Sequence, residues 1–243
     1  MDAQQLQQAQ RIGKPVNDVG GRFMLDGATY AKGAELGFSG FDFYAAWRGG
    51  VLGAVPADVV VAAFNFLGPD TVRSAWNEGS LVMPPEQAAA HFLECGREWG
   101  RHNLPPGLPA GRLTELARAV TDAVTPYGQP LFTAWNAMPW PSDDRGAALQ
   151  AINLLRELRG GAHIMAVRAA GIDPHAAVIA SAGPTVAEFL GWTAPHPDPD
   201  PIRDRLKEAE SATNLQMAQA FAVLDSELID ELAVLVEQAA VTS

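Results

Sequence analysis

Cysteine is almost absent from this chain: Cys95 stands alone among 243 residues. A disulfide within one chain is therefore excluded, and a reducing compartment is the natural setting. Cys95 itself reads as a small buried hydrophobe. Lysine is nearly as scarce, with three against 14 arginines, a bias that reads as GC-rich coding. No run approaches the ~18 uninterrupted apolar residues of a membrane-spanning helix. The first residues, MDAQQLQQAQR, are polar and contain no apolar stretch, so no signal peptide is expected. Strand signals are also missing; VVVAAF (59–64) is the one β-branched run, and its flanks are helical. There is no Gly-x-Gly-x-x-Gly after a strand, no Walker motif, no Gly-x-Ser-x-Gly and no His-Glu-x-x-His. Nucleotide cofactors and conventional serine hydrolysis thus have no motif to stand on.

What is present is a globular composition, 48% hydrophobic and 19% charged. A chain of this size buries roughly 70–75% of its unfolded surface and needs no metal for stability. The net charge of −11 repels phosphate and removes the non-specific term that carries most DNA affinity.

Along the chain, apolar periodicity predicts helices of ~10–17 residues, punctuated by Pro and Gly. Helices are expected at 22–36, at an aromatic 38–53, from Pro56 to Leu67, from Pro69, and from Pro84-Pro85-Glu86 to about Trp99. HNLPPGLPAG (102–111) reads as a hinge-like loop, because three prolines and two glycines cannot sit inside a helix. Leu113, Leu116, Ala117, Val120 and Val124 then recur at helical spacing. An aromatic segment (131–144) leads to a turn with Ser142 or Asp143 as N-cap. The following helix is expected to stop at Gly160-Gly161, and a fresh one to run from about Ala162 to Gly171. Asp173-Pro174 starts another. TAPHPDPDP (193–201) reads as an extended linker, and Leu215 to Leu235 as a long amphipathic region. The fold class expected is all-α, a multi-helix bundle-like or orthogonal arrangement around a single core. Its parts would be a main domain (1–192), the linker (193–201) and C-terminal helices packed on the main domain (202–243).

Several segments look familiar together: Pro130-Leu131-Phe132, Asn136, Met138-Pro139-Trp140-Pro141, Leu155-Arg156-Glu157, Arg159-Gly160 and His163. Upstream stand Gly40-Phe41, Tyr44, Arg48, Leu52-Gly53-Ala54-Val55 and Phe64-Asn65-Phe66. On these the chain resembles a helical family, abundant in GC-rich bacteria and often labelled helix-turn-helix. That family's pattern reads Leu-Arg-Glu-His-Arg-Gly-Asp-Gly-His here. The resemblance covers roughly residues 11 to 190. Leu158 stands where the family tends to place His, Gly161 where it places Asp, and Asn17 where it places another His. Such replacements imply altered or lost chemistry. The family's winged segment should follow Gly191-Trp192, where this chain has the proline-rich linker and one short charged stretch, Arg203 to Glu210.

His163 is the first candidate for chemistry. At the start of a helix the dipole would disfavour imidazolium and leave a neutral base near pH 7; the competing reading is a structural histidine. Glu157 and Arg159 precede it, either near a site or as a solvated charge cluster. Arg48 sits in an otherwise uncharged segment, AAWRGGVLGAV, so it is either paired within the core or lines a cavity. With Tyr44, Trp47, Phe64, Phe66, Trp135, Asn136 and Trp140 it could wall an aromatic pocket, although each aromatic alone reads equally as core. His91, Cys95, Glu98 and His102 share one helical stripe, but Gly96 and Gly100 weaken that helix and no metal site is expected.

The function expected is a cofactor-independent enzyme acting on a largely apolar, natural-product-like molecule by acid/base chemistry. His163, Glu157 and Arg48 would be catalytic, and the aromatic set with Asn136 and Arg159 would bind the ligand. The alternative is a non-catalytic ligand-binding or sensor protein, a degenerate regulator. No metal, nucleic acid or membrane partner is expected, a cytoplasmic location is, and the sequence leaves room for a homodimer.

Overall fold

A computed structural model describes residues 3–241. It contains twelve α-helices and, among the described residues, no strand. In order these are α1 (Ala3–Gly20), α2 (Gly27–Glu35), α3 (Gly40–Gly49), α4 (Ala57–Phe64), α5 (Pro69–Val82) and α6 (Pro85–Asn103). There follow α7 (Ala110–Ala123), α8 (Pro130–Asn136), α9 (Asp144–Ala169), α10 (Pro174–Phe189), α11 (Arg203–Phe221) and α12 (Ser226–Ala240). The all-α expectation holds. Among the described residues no single helix is long and apolar enough to cross a membrane.

The chain groups into two compact units, interleaved in sequence. The first takes the described residues of Met1–Lys32, His91–Gly161 and Asn214–Ser243. Here α1 lies along α12, and α12 along α7. The glutamine-rich start, which carried no helix expectation, is helical because Ala9, Ile12, Val16 and Val19 form one buried stripe. Polar residues tie the same seam together. Gln8 donates to the Ser226 carbonyl at 2.9 Å, and Arg11 forks onto Glu237 at 2.6 and 2.7 Å. Arg112 does the same to Glu231 at 2.9 and 2.8 Å. Phe23, Phe92, Leu113, Phe132, Trp135, Leu149 and Ile152 are buried in this unit.

The second unit takes Gly33–Ala90 and Ala162–Thr213. Here α3 and α4 pack on α5. The approach of α3 to α5 is close because Gly79 has no side chain; a Cβ there would lie 2.6 Å from Ala46 Cβ. Trp47 is fully buried, in edge contact with Phe43 at 4.5 Å and Phe38 at 5.7 Å between ring centroids. A separate cluster joins Val167, Ile172, Ala177, Ile202 and Ala209.

Local signals behaved unevenly. Asp143 caps α9 by accepting from the Gly146 amide at 2.7 Å, and Asp173 caps α10 from His175 and Ala176. Gly171, at φ 66°, closes α9 in a Schellman turn, with Ile172 N–H on the Val167 carbonyl and Gly171 N–H on that of Arg168. The expected break at Gly160-Gly161 is absent, and α9 runs straight through. Gly161 serves close packing instead: a Cβ there would sit 2.8–2.9 Å from the Gln129 side chain. The expected 22–36 helix is two pieces, a 3₁₀ turn at Arg22–Leu25 and α2. The C-terminal region, expected as helices, is two, α11 and α12, parted at 222–225, where Asp225 caps α12 through the Leu228 amide. An unforeseen kink divides α10 at Gly183 (φ 82°, ψ 176°), before Pro184.

Candidate functional site

The second unit contains a cavity of about 620 Å³. Two helices supply most of its wall. From α10 come Ala177, Val178, Ser181 and Ala182, and from α11 come Arg203, Leu206, Lys207 and Glu210, at i, i+3, i+4 and i+7. Phe66, Leu190 and His163 complete it.

Phe66 and Leu190 are held by a stitched pair of loops. Gly68 N–H bonds the Leu190 carbonyl at 2.8 Å, Trp192 Nε1 donates to the Phe66 carbonyl at 2.8 Å, and Thr71 Oγ1 to the Gly191 carbonyl at 3.1 Å. The backbones touch at Gly68, where a Cβ would meet the Gly191 oxygen at 2.1 Å. Trp192 in turn stacks on His175, 4.6 Å away and 10° from parallel. His175 Nε2 lies 3.0 Å from His196 Nδ1, whose Nε2 lies 3.3 Å from Glu188 Oε1. Burial, and then the neighbouring His196, hold the His175 imidazole below its ordinary value, against the pull of Asp173.

His163 sits 5.6 Å from Phe66, ring to ring. Its Nδ1 is 3.0 Å from Thr213 Oγ1 and 3.6 Å from Glu210 Oε2. The Thr213 hydroxyl already gives its one hydrogen to the Ala209 carbonyl at 2.8 Å, so toward His163 it can only accept. A carboxylate also only accepts. Both neighbours therefore place the hydrogen of neutral His163 on Nδ1 and the lone pair on Nε2. The helix-start argument for this residue is corrected: His163 lies inside α9, beyond Gly160-Gly161, where no free N-terminal amides point at it. Its tautomer comes from the side chains of α11 instead.

The other sequence candidates separate into groups. Arg48 lies over Phe64 at 4.8 Å and Tyr44 at 6.0 Å, with Tyr44 and Phe64 5.9 Å apart. This is a cation–aromatic cluster of the second unit, as is the Trp47 packing. Five candidates belong to the first unit. Glu157 is buried and pairs with Arg156 at 2.9 Å. Arg159 packs against Gly13, Trp135 lies 5.9 Å from Phe92, and Trp140 is covered by Arg118 at 4.6 Å. Asn136 donates to the Thr121 carbonyl at 3.5 Å. Voids around Trp135 and Arg159 measure about 10 Å³ and 0 Å³, too small for a ligand. Among all these candidates, the cavity brings together His163 and Phe66.

Sequence reasoning missed Glu210 and Thr213, which define His163. The signal was the stripe Arg203, Leu206, Lys207, Glu210, within what read only as one short charged stretch. Among the described residues no group of three or more His, Cys, Asp or Glu could hold a metal ion, the His91 stripe included. Burial pushes the Cys95 thiol up to about 11, with Glu98 adding to it.

A family model described as a helix-turn-helix family matches residues 9–199. The chain belongs to that family. No curated protein and no solved structure matches it. The family match takes in Phe66, His163 and the α10 wall, and ends before Glu210 and Thr213.

Four helix pairs are joined by four-residue turns, the connection typical of a helix-turn-helix: α2–α3, α4–α5, α9–α10 and α11–α12. In the second helix of each, where a recognition surface would lie, Arg48 and Arg73 are the only Lys or Arg. Arg73 is bound to Asp58 and Asp70, each at 2.7 Å. The same helices carry Asp42, Asp70, Glu78 and Glu188, and α12 adds four further acids.

Proposed function

We propose that this protein binds a small, largely apolar molecule in the cavity of its second unit, with His163 as the polar hook. The observation that carries this is the cavity itself. Its volume of about 620 Å³ falls within the roughly 300–1,000 Å³ usual for small-molecule sites. Phe66, Ala177, Val178, Ala182, Leu190 and Leu206 make its apolar wall, and His163, Ser181, Arg203, Lys207 and Glu210 its polar one.

Charge favours this reading over a duplex partner. Helices with two arginines against eight acids cannot neutralise several phosphates, and the whole chain carries −11. Gel-shift titration with its own promoter region at micromolar protein and ~100 mM salt should show no complex. A sequence-specific shift with steep salt dependence would make the regulator reading the better one.

The direct test is a thermal-shift screen of apolar fragments, run on the wild type and on His163→Phe. Hits that stabilise the wild type and lose their effect in the variant support the proposal. Hits indifferent to the variant would remove His163 from the site.

A second reading, a cofactor-independent acid/base enzyme, is favoured by one feature. Glu210, 3.6 Å from His163 Nδ1, stands where it would stabilise an imidazolium if His163 takes up a proton. Turnover separates the two readings. An enzyme exchanges an acidic C–H or O–H proton of its ligand or converts it, and Glu210→Gln slows that step without abolishing binding.

A further inference from the structure

We propose that the His175–His196 pair is a proton-operated latch behind the cavity wall, closed at neutral pH and opened when both imidazoles are charged, so that acid loosens the hold on a ligand. This rests on the small-molecule reading above and adds its regulation.

Hydrogen counting decides how the pair responds to acid. His175 Nε2 and His196 Nδ1 face each other at 3.0 Å, which leaves room for one hydrogen between them. The neutral pair carries two hydrogens, one in that contact and one on an outer nitrogen. Glu188 Oε1, 3.3 Å from His196 Nε2, can only accept, and so draws the second hydrogen there. One added proton fills the remaining outer nitrogen, and the contact survives. Another sets N–H against N–H and puts a second positive charge on rings with centroids 5.2 Å apart. The His196 side chain is only 16% exposed, so water relieves little of that repulsion. The rings therefore titrate as a pair in two steps, the second of which breaks the contact.

The charged groups around the pair leave this order intact. Asp173 favours a charge on His175, but burial and His196 outweigh it. Near the start of α10, Arg168 and Arg205 are engaged by the Ile172 and Ala170 carbonyls. In the linker, Asp198 accepts from the Asp200 amide, and Asp200 holds Arg203.

The contact is coupled to the cavity through Trp192. The His175 ring is the platform on which the indole stacks, 4.6 Å away, and the indole N–H holds the Phe66 carbonyl at 2.8 Å. Phe66 and Leu190, two residues before Trp192, line the cavity, as do Ala177 and Val178 just beyond His175 on α10. An imidazole pushed off its partner takes that platform away from the wall.

The test follows the Trp192 indole N–H and the affinity for two probes, 2-naphthalenemethanol and 4-phenylphenol, both uncharged from about pH 7.5 to about pH 5. The indole signal is identified by its loss in Trp192→Phe; the Trp76 indole, bonded to the Val55 carbonyl at 3.1 Å, is the internal standard. On acidification the exchange protection of Trp192 should fall roughly three- to tenfold relative to Trp76, and probe affinity by a similar factor, the loss of one net hydrogen bond. His196→Asn keeps an acceptor for His175 Nε2, and His175→Gln keeps a donor for His196 Nδ1, yet neither altered pair can carry two charges. Both variants should lose the acid response of the indole and the matching part of the affinity change. Any titration of His163 is common to wild type and variants and drops out of the difference. A packing role alone would lower protection at every pH and keep the wild-type acid response in both variants; that result overturns the latch, as does a wild-type indole indifferent to pH. An acid-responsive indole with pH-independent probe affinity overturns the coupling to the cavity and leaves the small-molecule reading standing. Failure of both probes to bind at any pH overturns that reading and the proposal with it.

Discussion

The two units use similar residues to opposite ends. The first pairs its charges between segments, Arg11 on Glu237, Arg112 on Glu231 and Arg101 on Asp143, and leaves voids of about 10 Å³ or less beside Trp135 and Arg159. The second, with fewer such forks, leaves about 620 Å³ between α10 and α11. A small, Ala-rich wall on one helix and a mixed stripe on the other make that difference. Aromatic and charged residues form packing contacts in the first unit, whereas small residues of α10 and a mixed stripe of α11 line the hollow in the second.

The comparison breaks most visibly at Trp135. If the first unit is packing, Trp135→Ala should cost roughly 3–5 kcal/mol in denaturant unfolding, as for other large buried aromatics. Ligands selected on the wild type should still bind whatever fraction remains folded. Near-normal stability with lost binding would move the site into the first unit.

Gly68→Ala probes the loops that frame the cavity. Its Cβ would collide with the Gly191 carbonyl, so a loss of roughly 1–3 kcal/mol is expected. Fragment binding should weaken with it, because Phe66 and Leu190 must part. Unchanged stability, read by urea denaturation, would show that the loops yield freely.

A smaller effect is expected from pH. His175 is held below its ordinary 6.5 in the folded state, so the unfolded chain takes up this proton first. Stability is full above that ordinary value and falls as pH drops through the lower folded value. His175→Gln should flatten this acid limb in melting temperatures taken between about pH 7 and 5. An unaltered limb would show that the His175–His196 contact does not govern it.

The smallest stability change should come from Ala182→Phe. Ala182 is exposed yet lines the cavity, so unfolding should shift by no more than about 0.5 kcal/mol. Fragment affinity should fall roughly tenfold as the new ring fills the space. Undiminished affinity would mean that the ligand sits elsewhere.

By itself the sequence determined the helical class and many of the helix ends, since capping residues and helical periodicity act over a few neighbours. Asp143, Asp173 and Gly171 each do locally what their spacing implies. It also determined the net charge of −11. Tertiary structure alone decided that α9 passes through Gly160-Gly161, because what Gly161 accommodates is the side chain of Gln129, over thirty residues earlier. It also decided which aromatics are core and gave His163 its partners. Thr213 and Glu210 lie about fifty residues along the chain, and they fix the imidazole only because α9 and α11 bring them within hydrogen-bonding distance of it or nearly so. Helix propensity is a property of neighbours in sequence, whereas a tautomer and a cavity belong to neighbours in space.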